Sequence, residues 1–127
     1  MPEPANPVAA YPRVIEIVVD CHDPGRLAAF WSALLGIDIR GEVREGNLWF
    51  VELLPISPDG PIIGFQQVPE GKVAKNRVHL DMRVSELDQA ARRVIELGGH
   101  RLAEHDERGR QWREMADPEG NEFCLTL

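Results

Sequence analysis

Cysteine is scarce. The chain carries only Cys21 and Cys124, far apart and outside any CxxC pair, which excludes a redox dithiol or zinc ribbon and predicts reduced thiols rather than a bridge. A stripe of Lys and Arg is also missing. Fourteen basic residues stand against 21 acidic ones, a net charge of −7, which argues against nucleic acid and anionic membranes as partners and suits a cationic or neutral small ligand. No apolar run approaches the roughly 20 residues that span a bilayer. Met1–Pro7 lacks a basic segment followed by an apolar one, so no signal peptide is expected there. Its three prolines predict a mobile tail over residues 1–12. A cytoplasmic protein is the resulting expectation.

What is present is an ordinary globular composition, 43% hydrophobic and 28% charged over 127 residues, enough for one core. The most informative stretch is Arg77–Val84, Arg-Val-His-Leu-Asp-Met-Arg-Val. Read as a strand, it puts Val78, Leu80, Met82 and Val84 on one face and His79, Asp81 and Arg83 on the other. A sheet of that kind packs helices on its apolar face and lines a cavity with its titratable one.

The rest of the chain supplies two similar halves. Arg13–Asp20 reads as a β-branched strand. Asp23-Pro24 opens a helix as N-cap and first helical residue, Leu27, Phe30, Trp31, Leu34 and Leu35 form its apolar stripe, and Gly36 stops it. Strands are predicted over Ile37–Val43, Leu48–Leu54 and Pro61–Val68, separated by Glu45-Gly46-Asn47 and Ser57-Pro58-Asp59-Gly60. The second half repeats the order. A strand over Arg77–Val84 precedes a helix with a capping box of Ser85 and Asp88 and a stripe of Leu87, Ala91, Val94 and Ile95. That helix stops at Gly98-Gly99. Strands follow over His100–Glu104, Arg110–Ala116 and Asn121–Leu127, with His105–Gly109 as a solvated hairpin turn rather than a lid. Trp49 and Trp112, and Glu16 and His79, recur at a spacing of 63, and Pro58-Asp59-Gly60 returns 60 residues on as Pro118-Glu119-Gly120. We therefore expect an α+β domain over 13–127, in which module one (13–68) and module two (77–127) are each βαβββ. The linker 69–76 joins them.

The helix end Phe-Trp-Ser-Ala-Leu-Leu-Gly, the strand Val-His-Leu-Asp and the closing Asp-Pro-Glu-Gly-Asn-Glu-Phe-Cys resemble the vicinal oxygen chelate superfamily, in particular its glyoxalase-like branch. That superfamily includes glyoxalase I, extradiol dioxygenases, fosfomycin-resistance enzymes and bleomycin-binding proteins. The resemblance runs from about residue 13 to the end. It implies curled mixed sheets forming a cup with helices outside, and a divalent metal held by the first and last strands of both modules. The positions that match are Glu16, Gln66 (with Gln67 as the alternative register), His79 and Cys124. The last is a departure, since a Glu is usual there; Glu122 shares its face one rung along. Thiolate, imidazole and carboxylate suit zinc better than Mg²⁺ or Mn²⁺, so the implied cofactor is a divalent metal (Zn, Mn, Ni or Fe) or none. The family also implies a homodimer, in some members with cups shared between subunits.

Glu16 and His79 are the catalytic candidates. A lone carboxylate between Val14 and Val18 costs several kcal/mol to bury, so Glu16 needs His79, a cation or a ligand beside it. With His79 it would form a proton shuttle that needs no metal; the other reading is a structural pair at the module junction. Trp49 and Trp112 are expected as two aromatic walls for a ligand, or as core; Gln66 and Glu122 complete the ligand-facing set. Trp31 reads as core, Asp81 and Arg83 as a solvated ion pair, and Cys124 as an inert thiol or an activated nucleophile. Two functions follow from the resemblance: a lyase, isomerase or oxygenase acting on a small oxygenated molecule, or a drug-sequestering protein of the bleomycin-resistance type without turnover.

Overall fold

A computed structural model describes residues 11–127; the tail expected over 1–12 lies almost wholly outside the described residues. Module one forms β1 (Glu16–Cys21), α1 (Pro24–Leu35), β2 (Ile39–Glu45), β3 (Leu48–Leu53) and β4 (Ile62–Gln67). Module two forms β5 (Asp81–Arg83), α2 (Leu87–Glu96), β6 (His100–Glu107), β7 (Arg110–Ala116) and β8 (Glu122–Thr126). Each module is one four-stranded mixed sheet, in the orders β1-β4-β3-β2 and β5-β8-β7-β6. The pairs β1–β4 and β5–β8 are parallel, the rest antiparallel. The fold is thus the expected α+β arrangement of two βαβββ modules.

Local signals explain most boundaries. Asp23 caps α1 by accepting from Arg26 N at 3.0 Å, and Gly36 ends it in the left-handed conformation (φ 67°) that side chains resist. The helix α2 differs from expectation. Its N-cap is Glu86, whose carboxylate accepts from Asp88 N and Gln89 N; Ser85 takes no part in the cap. Two strand predictions also shift. β6 runs on to Glu107, leaving a turn at Arg108-Gly109 with both φ values positive (54° and 76°), the geometry of a tight hairpin. β5 covers only Asp81–Arg83 of the predicted Arg77–Val84. Residues 77–80 leave the ladder, so Val78 is 76% exposed rather than packed beneath the sheet.

Helices and sheets share one apolar cluster. Leu27, Phe30 and Trp31 from α1 lie in it with Val51, Phe65, Met115, Phe123 and Leu125. Its centre joins the modules. Trp31 packs edge-on against Phe123 at 4.8 Å between ring centroids and against Phe30 at 5.5 Å, arrangements favoured by the ring quadrupoles. The indole N–H of Trp31 donates to Asp117 Oδ2 at 3.1 Å. Asp117 is fully buried, and burial pushes its carboxyl up while donors from Asn121, Trp31 and Glu119 N oppose that shift. Two residues on, the Glu119 carboxylate accepts His22 N at 2.6 Å and Asp23 N at 2.9 Å, placing negative charge at the start of α1 where the helix dipole favours it. The Asp-Pro-Glu-Gly-Asn turn of module two therefore fastens the helix of module one.

Candidate functional site

The two sheets offer matching slots on the faces turned away from the helices. In the first sheet the ladder places Val18, Gly64 and Glu52 on one rung. In the second, Asp81, Cys124 and Glu114 form the equivalent rung. One rung away stand Asp20, Gln66 and Phe50 and, opposite them, Arg83, Thr126 and Trp112. Phe50, not Trp49, is thus the counterpart of Trp112. The spacing of 63 is one residue off in this strand, and a slip of one turns a side chain to the other face.

That slip decides what Trp49 does. It alternates with the buried Val51 and Leu53 and lies on the helix side. Its N–H donates to Glu42 Oε1 at 2.7 Å, and the Arg44 guanidinium sits 4.0 Å from the ring centroid. The expected pair of tryptophan walls does not form within the chain.

Glu16 lies in the first sheet, in a groove of about 440 Å³ with Arg13, Arg40 and Glu52. Its Oε2 is buried without a hydrogen-bond partner, in room left by Gly64, where a Cβ would fall 2.3 Å from that oxygen and 2.6 Å from Phe50 Cζ. Burial first, then the neighbouring carboxyl of Glu52, push the Glu16 carboxyl up; Arg40 pulls it down. Two carboxyl groups brought together in this way repel when both are charged. Within this chain Glu16 therefore faces Glu52 and Arg40 rather than His79.

His79 stands elsewhere. Its Nε2 is 3.2 Å from Asp81 Oδ1, and donor atoms of His79, Asp81 and Cys124 all lie within 4.8 Å of one another. Burial, then the charges of Asp81 and Glu114, push the Cys124 thiol up. A thiol in that setting is a poor free nucleophile. It becomes a thiolate when a metal takes the proton's place. These three side chains line a groove of about 240 Å³ with Arg110, Trp112 and Thr126. Behind Trp112, His105 stacks on the ring at 4.6 Å and 10° between planes, with Glu114 3.6 Å from its Nε2.

A second hollow, of about 590 Å³, separates the modules. Ile17–Asp20 wall one side, Asn76–Leu80 the other, and His79 borders both hollows. The two modules thus face each other across a cleft, yet Glu16 and His79, expected as a pair, open into different spaces. Glu122, expected toward the ligand, is taken up by Lys72 Nζ at 3.0 Å and Asn76 N at 3.1 Å. Burial alone would raise its carboxyl; the hydrogen bonds and charge of Lys72, with Asn76 N, hold it below the usual range. Gln66 occupies the ladder between Asp20 and Phe50, and Gln67 turns to His22 O at 3.0 Å. Cys21 is buried, its thiol pushed up to about 12 by burial and then the charges of Glu119, Asp117, Asp20 and Asp23. Sequence reasoning missed Asp81 as a third donor, and Phe50, Glu52 and Arg110 altogether. Strand alternation carried the signal for Asp81, whereas Glu52 required knowing which strands pair.

Solved structures share this architecture. A variant of the fosfomycin resistance protein FosX from Listeria monocytogenes, complexed with Mn(II) and a dihydroxypropylphosphonic acid, is 15% identical with a TM-score of 0.73, covering 91% of each chain. A glyoxalase/bleomycin resistance protein/dioxygenase family enzyme from Burkholderia phytofirmans PsJN is 17% identical, with a TM-score of 0.65, over 87% of this chain and 94% of that one. A glyoxalase family protein from Enterococcus faecalis is 14% identical, with a TM-score of 0.69, over 93% and 99%. At such identities the likeness shows the fold alone. No curated protein matches the chain in sequence. No described helix is long and apolar enough to cross a membrane. The family model of the glyoxalase-like domain matches residues 16–126, and the chain therefore belongs to the glyoxalase-like domain family of the vicinal oxygen chelate superfamily.

Proposed function

We propose that this protein is a small-molecule enzyme of the lyase or isomerase kind, acting at the groove of module two with His79, Asp81 and Cys124 as a divalent-metal centre. The observation that carries the reading is the convergence of imidazole, carboxylate and thiol within 4.8 Å on a hollow that also holds an indole and a guanidinium. The donor set fits zinc: one soft sulfur, one nitrogen and one oxygen, with room for a fourth partner. A bound zinc would supply Lewis-acid polarisation of a substrate oxygen. For the chain's own part, Asp81 orients the His79 ring through Nε2, and Trp112 offers a flat wall against which a substrate is held.

Glu16 enters this site from a second copy. β1 and β5 are outer strands, and apolar side chains beside them are left to solvent, with Val14 and Ile15 each 69%, Val18 46% and Val78 76% exposed. A homodimer that lays β1 of one subunit along β5 of the other covers them and brings Glu16 toward His79 of the neighbouring subunit. Mass measured against dilution tests this arrangement. Val18→Asp with Val78→Asp should give monomers; a wild-type chain that is monomeric at micromolar concentration overturns it.

Elemental analysis tests the metal. Protein purified metal-free and then offered Zn²⁺ should retain one ion per chain, and His79→Ala should retain none. If wild type and variant retain zinc alike, or neither does, the enzyme reading fails. Sequestration without turnover is then the alternative, and the wide cleft between modules, walled by Val18, Val78 and Leu80, is the observation that favours it.

A further inference from the structure

The geometry points to a compact planar acid, an aryl carboxylate or its like, as the ligand of the module-two groove, with Arg110 as the residue that selects it. The inference deepens the proposed function and rests on its placing the ligand in that groove.

The net charge of −7 suits a cationic or neutral ligand, but charge acts locally, within about a Debye length. Around the groove two acids already have partners. Asp81 is 3.2 Å from His79 and Glu114 is 3.6 Å from His105. Arg110 is different. The other arginines and lysines of module two and its linker that form ion pairs are Lys72, Arg93, Arg101 and Arg113; Arg110 lines the groove with no ion-pair partner among the described residues. Its guanidinium makes no ion pair in that lining and is open to a ligand, with Glu107 standing opposite it across the hairpin.

Shape narrows the class further. Trp112 lies two residues from Arg110 on the same strand, hence on the same face. His105 stacked behind the indole keeps the ring from turning and makes it a rigid platform. A planar fork beside a flat aromatic surface matches a planar oxyanion on a ring, because a guanidinium takes a carboxylate through two parallel hydrogen bonds. Thr126, in register with Trp112, adds a hydroxyl to the same wall. The volume of about 240 Å³ admits one small ring with its substituents and little more. The far end of such a ligand would meet His79, Asp81 and Cys124.

Benzoate and its neutral counterpart benzamide differ chiefly in charge, and they are the probes. The protein has three tryptophans, so the indole N–H of Trp112 is one of three signals, identified by its loss in Trp112→Phe. Titration of the metal-free protein should move that signal at least tenfold more readily with benzoate than with benzamide. Arg110→Gln should abolish the preference, and Arg110→Lys should keep part of it, as a point charge without the fork would. Equal responses to the two probes in wild type, no response to either, or a preference that survives in Arg110→Gln each overturn the assignment. Zinc retention and its loss in His79→Ala report on the donor cluster alone, so that reading can stand while the acid preference fails, or fall while it holds.

Discussion

Glu52 and Glu114 occupy the same rung in the two sheets, yet their company differs. Glu52 lines one groove with Glu16, whose carboxyl it helps push up, over the bare backbone of Gly64. Glu114 faces His105, with Cys124 where the first sheet has glycine. One backbone plan, used twice, thus yields an acid pair in module one and a mixed donor cluster in module two. The difference teaches that the plan supplies positions only; the chemistry depends on single residues placed in them, and on whether a Cβ fits.

The comparison has meaning only while the modules stay joined, and the strongest way to break it is at Asp117. Its two oxygens take hydrogen bonds from Trp31, Glu119 N and Asn121. Asp117→Ala leaves those donors without acceptors inside the core, and should lower unfolding free energy by about 3–5 kcal/mol, read by denaturant titration. A loss below about 1 kcal/mol would show that apolar packing alone holds the seam.

Giving module one the side-chain bulk of module two is the next test. Gly64→Ala forces a Cβ against Glu16 Oε2 and Phe50, and should cost about 2 kcal/mol; Gly64→Cys should cost at least as much. Combining Gly64→Ala with Glu16→Ala should recover much of the loss, since the two share one space.

Glu16→Gln should act in the opposite direction and sharpen the contrast. The folded protein holds the Glu16 proton above its ordinary value of 4.5, so between those two values the folded state binds more protons than the unfolded one. Stability therefore falls as pH rises through that window, and the penalty is fully present above it. Glu16→Gln removes this fall and should stabilise the protein at pH 7 by about 0.5 kcal/mol or less, because solvent screens a part-buried carboxyl. The measurement is unfolding free energy from pH 4 to 8, roughly spanning the ordinary carboxylate range and neutrality; a slope unchanged by the substitution would refute a raised Glu16 carboxyl.

The last contrast is between the tryptophans. Trp49→Phe should cost about 1 kcal/mol through its bond to Glu42 and its contact with Arg44, and leave benzoate binding untouched. Trp112→Phe should do the reverse.

Much of the scaffold was legible in the sequence because its signals are local. Asp23-Pro24 and Gly36 bracket α1 by their own backbone chemistry, and the alternation around His79 identified the face that carries the donors. The site was less legible for reasons that are not local. Whether β5 extends back to Arg77 depends on what pairs beside it, and only Asp81–Arg83 pairs, along β8. The spacing of 63 that matched Trp49 to Trp112 ignored a change of one in the connections, and in a strand one residue exchanges inside for outside. Glu16 was expected beside a partner, but its nearness to Glu52 follows from the antiparallel register of β3 and β4, which no residue near Glu16 encodes.

The turn from Asp117 to Asn121, anchored by the buried Asp117, also governs how the protein can change. It ties the halves together from the helix side, so the open faces of both sheets carry little of the structural duty. Those faces can accept new residues rung by rung while the frame persists. For an engineer this makes the molecule a panel of interchangeable sockets around a fixed clasp; for descent it offers a route by which unrelated activities arise without a new fold.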